Sequence, residues 1–205
     1  SQLLLNACNL LRDLGQADVT LPLLQRGLQR QPQDSALLQA LALSFHHCGR
    51  ISEALGLLPA LVAERPDDPN LRLELGACLA KQSRQEEALA QFAKAAELAP
   101  SDIRPPANQI TILTELGRHQ EALHLLENAP GRGQDPQLIG AEAGLRFAIN
   151  DVVSATELHR QLTLLQPQQA DHWLNLASCQ KHLRQMVAPL QSLQQGLKHA
   201  PERLD

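Results

Sequence analysis

Eight histidines and four cysteines are the side chains of this chain best suited to holding a metal or attacking a substrate, and their spacing suits neither. His119 and His124 stand five residues apart, which turns them to different faces of a helix, and the adjacent His46 and His47 diverge as well. They are read as solvated or capping histidines. Cys8, Cys48, Cys78 and Cys179 lie far from one another, with no CxxC pair and no histidine at ligand spacing. A free cysteine packs as a small hydrophobe, so all four are expected among helices as reduced thiols. A reducing, cytoplasmic setting is the mild expectation that follows. There is no phosphate-cradling GxxxxGK[ST] loop, no GxSxG turn and no HExxH helix. The sequence predicts no catalytic residue, no metal and no cofactor; the chain reads as something other than an enzyme.

Charge narrows the partners. Eighteen basic residues against 22 acidic ones give a net charge of −4, whereas a nucleic-acid binder normally carries a basic stripe. No apolar run approaches the ~18 residues that a membrane span needs. The expected partner is a protein or peptide, with neither nucleic acid nor membrane insertion.

What must position these residues is visible in the punctuation. Prolines fall at 32, 66, 100, 167 and 201, at intervals of 34, 34, 67 and 34. Ala54, Ala88, Ala122 and Ala155 keep the same beat, with one interval of 33. Self-similarity near this length marks an array of stacked units in which each unit relies on its neighbours for burial. Six such units account for nearly all of the 205 residues. Aromatics make up 2% of the chain and tyrosine is absent, so the interior must be built from Leu and Ala at helical spacing.

Residues 69–102 show the unit most clearly. Leu75-Gly76 sits within a first apolar-periodic stretch, Ser83-Arg84 breaks it, and Ala88-Leu89, Phe92 and Ala95 follow at helical spacing until Pro100. This is a pair of amphipathic helices with a tight turn. A small eighth residue, Ala at twenty, an aromatic or Leu at twenty-four, Ala at twenty-seven and Pro at thirty-two resembles the tetratricopeptide repeat. The resemblance implies an all-α, right-handed α-solenoid of stacked antiparallel helix pairs. Its units are 1–34, 35–68, 69–102, 103–136, 137–169 and 170–203, the last with Trp173-Leu174-Asn175-Leu176-Ala177 in its first helix. The first unit holds Thr20 where Ala is usual.

Two units depart from the pattern. Pro105-Pro106 should delay the first helix of the fourth unit, Ile110 replaces its small eighth residue, and Pro130-Gly131-Arg132-Gly133 should end its second helix near Ala129. Residues 103–150 are therefore expected to exchange amide hydrogen more readily than 35–100. The fifth unit is one residue short. Counting back from Ala155 would place Glu142 and Arg146 at core places, a costly burial if they are unpaired. Counting forward from Pro136 puts Ala143-Gly144 and Phe147 at the core and leaves Glu142 and Arg146 as an exposed i, i+4 pair. On that frame the missing residue belongs to the turn near Asn150-Asp151. Pro59 should kink the helix that holds it.

In the family this chain resembles, ligands lie on the concave surface lined by first helices. The places that face it correspond here to Gln2, Asn6, Asn9, Arg12, Gln39, His46, Asn70, Glu74 and Lys81, then to Arg104, Asn108, Leu138, Glu142, Leu145, Asn175 and Lys181. The Lys- and Asn-rich clamp for a terminal carboxylate is not matched: Asn9 fits it, but Leu5, Ala40, Asn70 and Glu74 stand at its other places. Asn6, Asn108 and Asn175 match a ladder of backbone-binding amides, interrupted by Ala40, Glu74 and Glu142. An Asn side chain carries donor and acceptor together and can satisfy a peptide unit whatever its side chain. Lys81, Arg104 and Lys181 would add attraction for acidic segments, and the strip of Leu138, Leu145 and Ile149 an apolar anchor. The function so implied is a protein-interaction scaffold holding an extended or helical segment in its groove. The alternative is the substrate-recruiting arm of a transferase-type enzyme whose catalytic domain lies outside these residues. Both ends read as uncapped, which adds self-association through them as a further expectation.

Overall fold

The computed structural model describes residues 2–183 and 188–199. Twelve helices are found among them and no strand. They divide into two compact units, residues 1–99 and 100–205. The first holds α1 (Gln2–Asp13), α2 (Ala17–Arg30), α3 (Ser35–His47), α4 (Ile51–Glu64), α5 (Pro69–Lys81) and α6 (Gln85–Leu98). The second holds α7 (Arg104–Glu115), α8 (His119–Asn128), α9 (Pro136–Ala148), α10 (Val152–Leu165), α11 (Ala170–His182) and α12 (Ala188–His199). Within each unit every odd-numbered helix packs on the helix that follows it, and the pairs stack in chain order.

Each helix begins and ends for local reasons that recur with the period. Between paired helices one residue takes a left-handed conformation: Gly15, Gly49, Ser83, Gly117 and Asn150, with φ between 58° and 74°. Glycine adopts this at no steric cost, whereas Ser83 carries a Cβ there. Three first helices, α3, α5 and α9, start on aspartates. Asp34 accepts hydrogen bonds from the backbone N–H of Ala36 (3.0 Å) and Leu37 (3.2 Å), Asp68 from Asn70 and Leu71, and Asp135 from Gln137 (2.8 Å). Such caps satisfy N–H groups that the helix itself leaves open.

The core is the small-against-large contact that the period encodes. Ala54, Ala88, Ala122 and Ala155 are fully buried, as are Leu24, Leu58, Phe92 and Leu126. A Cβ built on Gly76 would lie 2.7 Å from the Phe92 ring, so at that place even a methyl is too much. Thr20, standing where Ala recurs, is buried with its hydroxyl 2.6 Å from that of Ser44. The four cysteines are free, and all but the half-buried Cys48 are buried, as packing residues should be.

Several expectations are corrected. α9 starts at Pro136, and the connection from α9 to α10, residues 149–151, is as long as that from α5 to α6, residues 82–84. The missing residue is therefore absent before α9, where α8 has 10 residues and the connection 129–135 follows it. The true frame is the one that counts back from Ala155. Glu142 is accordingly buried, not exposed, and Phe147 is 39% exposed, not core. The carboxylate is tolerated because it is paired: its Oε1 accepts from Arg146 and from Arg132, each at 3.3 Å. Arg132 arrives from the 129–135 connection, and no helical spacing could have supplied it. The i, i+4 pair itself forms. Among the histidines His159 is buried and His46 bonds to Glu74, so neither is a solvated one. α8 ends at Asn128, in accord with the breaker cluster that follows. α7 begins at Arg104 with its prolines in the first turn, where their missing N–H groups cost nothing. Ile110 is fully buried in place of a small residue, and α4 is continuous through Pro59.

Candidate functional site

In the first unit the first helices α1, α3 and α5 form one wall-to-wall cleft of about 380 Å³. Its polar lining is Gln2, Asn9, Arg12, Gln39, Asn70 and Glu74, over an apolar base of Leu5, Ala36, Ala40 and Leu43. Helical spacing explains the set: within α1 the lining residues fall at 2, 5, 9 and 12, one face of one helix. The amides are partly pre-arranged. Asn9 Oδ1 accepts from Arg12 Nη2 at 2.8 Å, and Gln39 Oε1 accepts from Arg65 Nη2 at 2.9 Å. His46 Nδ1 lies 2.7 Å from Glu74 Oε2, which joins α3 to α5 at the edge of the cleft. The site thus offers amide donors and acceptors, one guanidinium, one carboxylate and a short apolar base.

The residues expected to carry function are dispersed around this face. Asn9 lines the cleft. Asn6 is exposed on α1 outside the lining, its Oδ1 accepting from Gln2 Nε2 at 3.1 Å, and Lys81 is exposed at the end of α5. In the second unit Asn108 is half-buried on α7, while Asn175 and Lys181 are exposed on α11. Arg104 is exposed but engaged, its Nη2 2.6 Å from Asp102, whose carboxyl it holds below the usual range through that hydrogen bond. Leu145 and Leu138 are fully buried, so neither is a groove anchor. One residue of frame turns α9 by about 100°, which exchanges its core and groove faces. On the true frame the groove places of α9 hold Gly140, Gly144 and the exposed Phe147, whose ring stands edge-on to His182 at 5.5 Å.

The buried thiols are poor nucleophiles. Burial, then Glu74, pushes Cys78 up to about 11, and burial also raises Cys8 and Cys179. His159 is held near 4 by burial first and then by His172. Among the described residues no group of three His, Cys, Asp or Glu could hold a metal, and no helix is long and apolar enough to cross a membrane.

Comparisons with known proteins agree with this architecture. Two family models described as tetratricopeptide repeat match, one over residues 11–73 and one over 48–103. No curated protein matches. Among solved structures, a thermophilic TPR protein from Thermus thermophilus is 24% identical, with 87% of this chain and 97% of that one covered and a TM-score of 0.73. PilW, a type IV pilus biogenesis factor, is 15% identical over 99% and 94% of the two chains, with a TM-score of 0.81. YrrB, described as a TPR protein with an unusual peptide-binding site, is 15% identical over 88% and 94%, with a TM-score of 0.57. Residues 11–103 thus match tetratricopeptide repeats, and helix pairs of the same α-solenoid class run through the described residues, the twelve helices among them being consistent with six repeats.

Proposed function

We propose that this chain is a protein-interaction scaffold that holds an extended segment of a partner against its first-helix faces. The observation that carries the reading is the amide-lined cleft of α1, α3 and α5. Asn9, Gln39 and Asn70 can each donate and accept, which suits the alternating N–H and C=O of an extended backbone and tolerates variation in its side chains. Arg12 and Glu74 stand on opposite sides of α3 and favour a segment carrying both charges. Asn6 flanks this face in the first unit. Asn108 and Asn175 would act likewise within the second unit, with Lys181 attracting acidic side chains. That YrrB is described as holding a peptide on the same fold is a supporting analogy.

The test is site-directed photocrosslinking. A photoreactive residue at Gln39 should trap a partner that the same residue at the exposed Glu86 of α6 does not. Asn9→Ala and Asn70→Ala should each weaken that partner by roughly 2- to 10-fold, the worth of one hydrogen bond. Trapping from Glu86 alone, with affinity unmoved by the α1 and α5 substitutions, would place binding elsewhere.

A further inference from the structure

Donors and acceptors are out of balance on the α1 and α3 walls of the amide-lined cleft. A guanidinium only donates, so an amide bonded to one must turn its oxygen toward it. Asn9 does so to Arg12, and Gln39 does so to Arg65. Each amide thereby uses its acceptor inside the protein and keeps its NH2 group, which has no acceptor among the described residues. At the far end of α1, Gln2 gives its own N–H to Asn6. What remains around Arg12 is a set of donors.

Arg12 itself lacks a counter-charge. It is half-buried, and its Nη1 is closed off from solvent with no hydrogen-bond partner. It forms no ion pair among the described residues, whereas Arg50, Arg84 and Arg118 in the turns each hold a glutamate three residues on. Glu74, the acid that lines the cleft, belongs to α5 and is bonded to His46 on α3 at 2.7 Å. A charge partly withdrawn from water without a counter-ion is unfavourable, and a ligand that brings one relieves it.

We propose that the α1 wall of the cleft binds the side-chain carboxylate of an aspartate or glutamate in the partner segment. The carboxylate accepts from the guanidinium of Arg12 and from the Asn9 NH2 group beside it. Gln39 donates to a backbone carbonyl of the same segment. Charge-assisted bonds of this kind are stronger than those between neutral groups, so the acid dominates recognition and the amides tolerate variation around it. This rests on the reading of the cleft as the place where the partner lies, and adds what that partner carries. The acid is internal to the segment, because the cleft continues across α3 to Asn70 and Glu74 on α5.

The test uses random twelve-residue peptides displayed on phage through their C-termini, so that side chains supply every carboxylate. Selection on the intact 205-residue chain should give binders with Asp or Glu at one fixed position, and selection on Arg12→Gln should give binders without that preference. A selected sequence, made as a free peptide with both ends blocked, should lose roughly 10- to 100-fold in affinity when that acid is replaced by its amide. Arg12→Gln should cost the same, and the two changes together no more than either. The change in the peptide leaves the protein untouched, so this loss is independent of how the variant folds. Binders that crosslink from Gln39 yet show no acidic position would overturn the proposal and leave the cleft as the binding surface. Affinity that appears only with a free C-terminus would assign the donors to a chain end and overturn it too. Binders that crosslink only from Glu86, or no binders at all, would overturn both the proposal and the reading beneath it.

Discussion

Counted from the start of each first helix, the seventh, eighth, eleventh and twenty-fourth places of the third repeat hold Leu75, Gly76, Leu79 and Phe92. In the fifth they hold Glu142, Ala143, Arg146 and His159. The backbone plan is the same, with a left-handed turn residue at place fifteen in both, Ser83 and Asn150. The interiors are opposite. One is apolar and close-fitting to the ångström. The other contains a buried carboxylate shared by two guanidiniums and an imidazole whose Nδ1 is buried without a hydrogen-bond partner. The repeat pattern fixes where the chain turns and which faces meet; it leaves open whether those faces are greasy or ionic, provided that every charge finds a partner.

The comparison breaks most visibly in acid. His159 has its pKa lowered from 6.5 to about 4. The unfolded chain therefore takes up this proton more readily than the folded one, and stability rises with pH across that window. The contribution is complete above about pH 6.5 and is lost as pH falls toward 4, roughly 3 kcal/mol in all. Urea titrations of the intact chain and of His159→Leu should measure it. The variant, which restores the leucine of other repeats, should decline less between pH 6.5 and 4 than the intact chain, the remainder coming from groups such as His172 that burial also lowers. Hydrogen exchange at pH 5 should open residues 136–165 before 69–98, and equal protection would contradict the contrast.

Next in size is the ion network. Glu142→Leu alone takes the carboxylate from Arg132 and leaves Arg146 only Asp151, at 3.6 Å, and should cost about 1–2 kcal/mol, below the fully buried case because both arginines reach solvent. Glu142→Leu with Arg146→Leu imitates Leu75 and Leu79 and should recover most of that loss in thermal melts. In the third repeat Gly76→Ala should cost about 1–2 kcal/mol, because the methyl meets a ring that cannot retreat, although alanine is the better helix former. The smallest effect is a gain: Ser83→Gly relieves a left-handed serine and should raise stability by about 0.5–1 kcal/mol, whereas the same change at Gly117 is already made.

The paired helices, their turns and the buried alanines were legible because they repeat, and a repeat reports itself without any knowledge of contacts. The frame of the fifth repeat is hidden because burial of Glu142 depends on two partners, and the second, Arg132, lies in a connection with no period. Two local signals point to the right frame. Aspartates cap first helices at 34, 68 and 135, and turn residues fall at 83, 117 and 150, so both series mark a start at 136. The candidate site divides in the same way. Asn9, Gln39, Asn70 and Glu74 were placed by the resemblance in repeats whose frame was right, while Leu138 and Leu145 were misplaced with theirs.

The segment from Ala129 to Asp135 has one further consequence. α8 stops a turn early, the chain loses one residue there, and α9 through α11 nevertheless resume the common geometry. Length has been edited at this point without a shift of phase downstream, as a joint absorbs what a girder could not. Gly133 and Gln134 are exposed, whereas Arg132 is tied to Glu142, so a graft entering between 133 and 134 would leave that tie in place. This joint is where the array is most open to acquiring new sequence, by evolution or by hand.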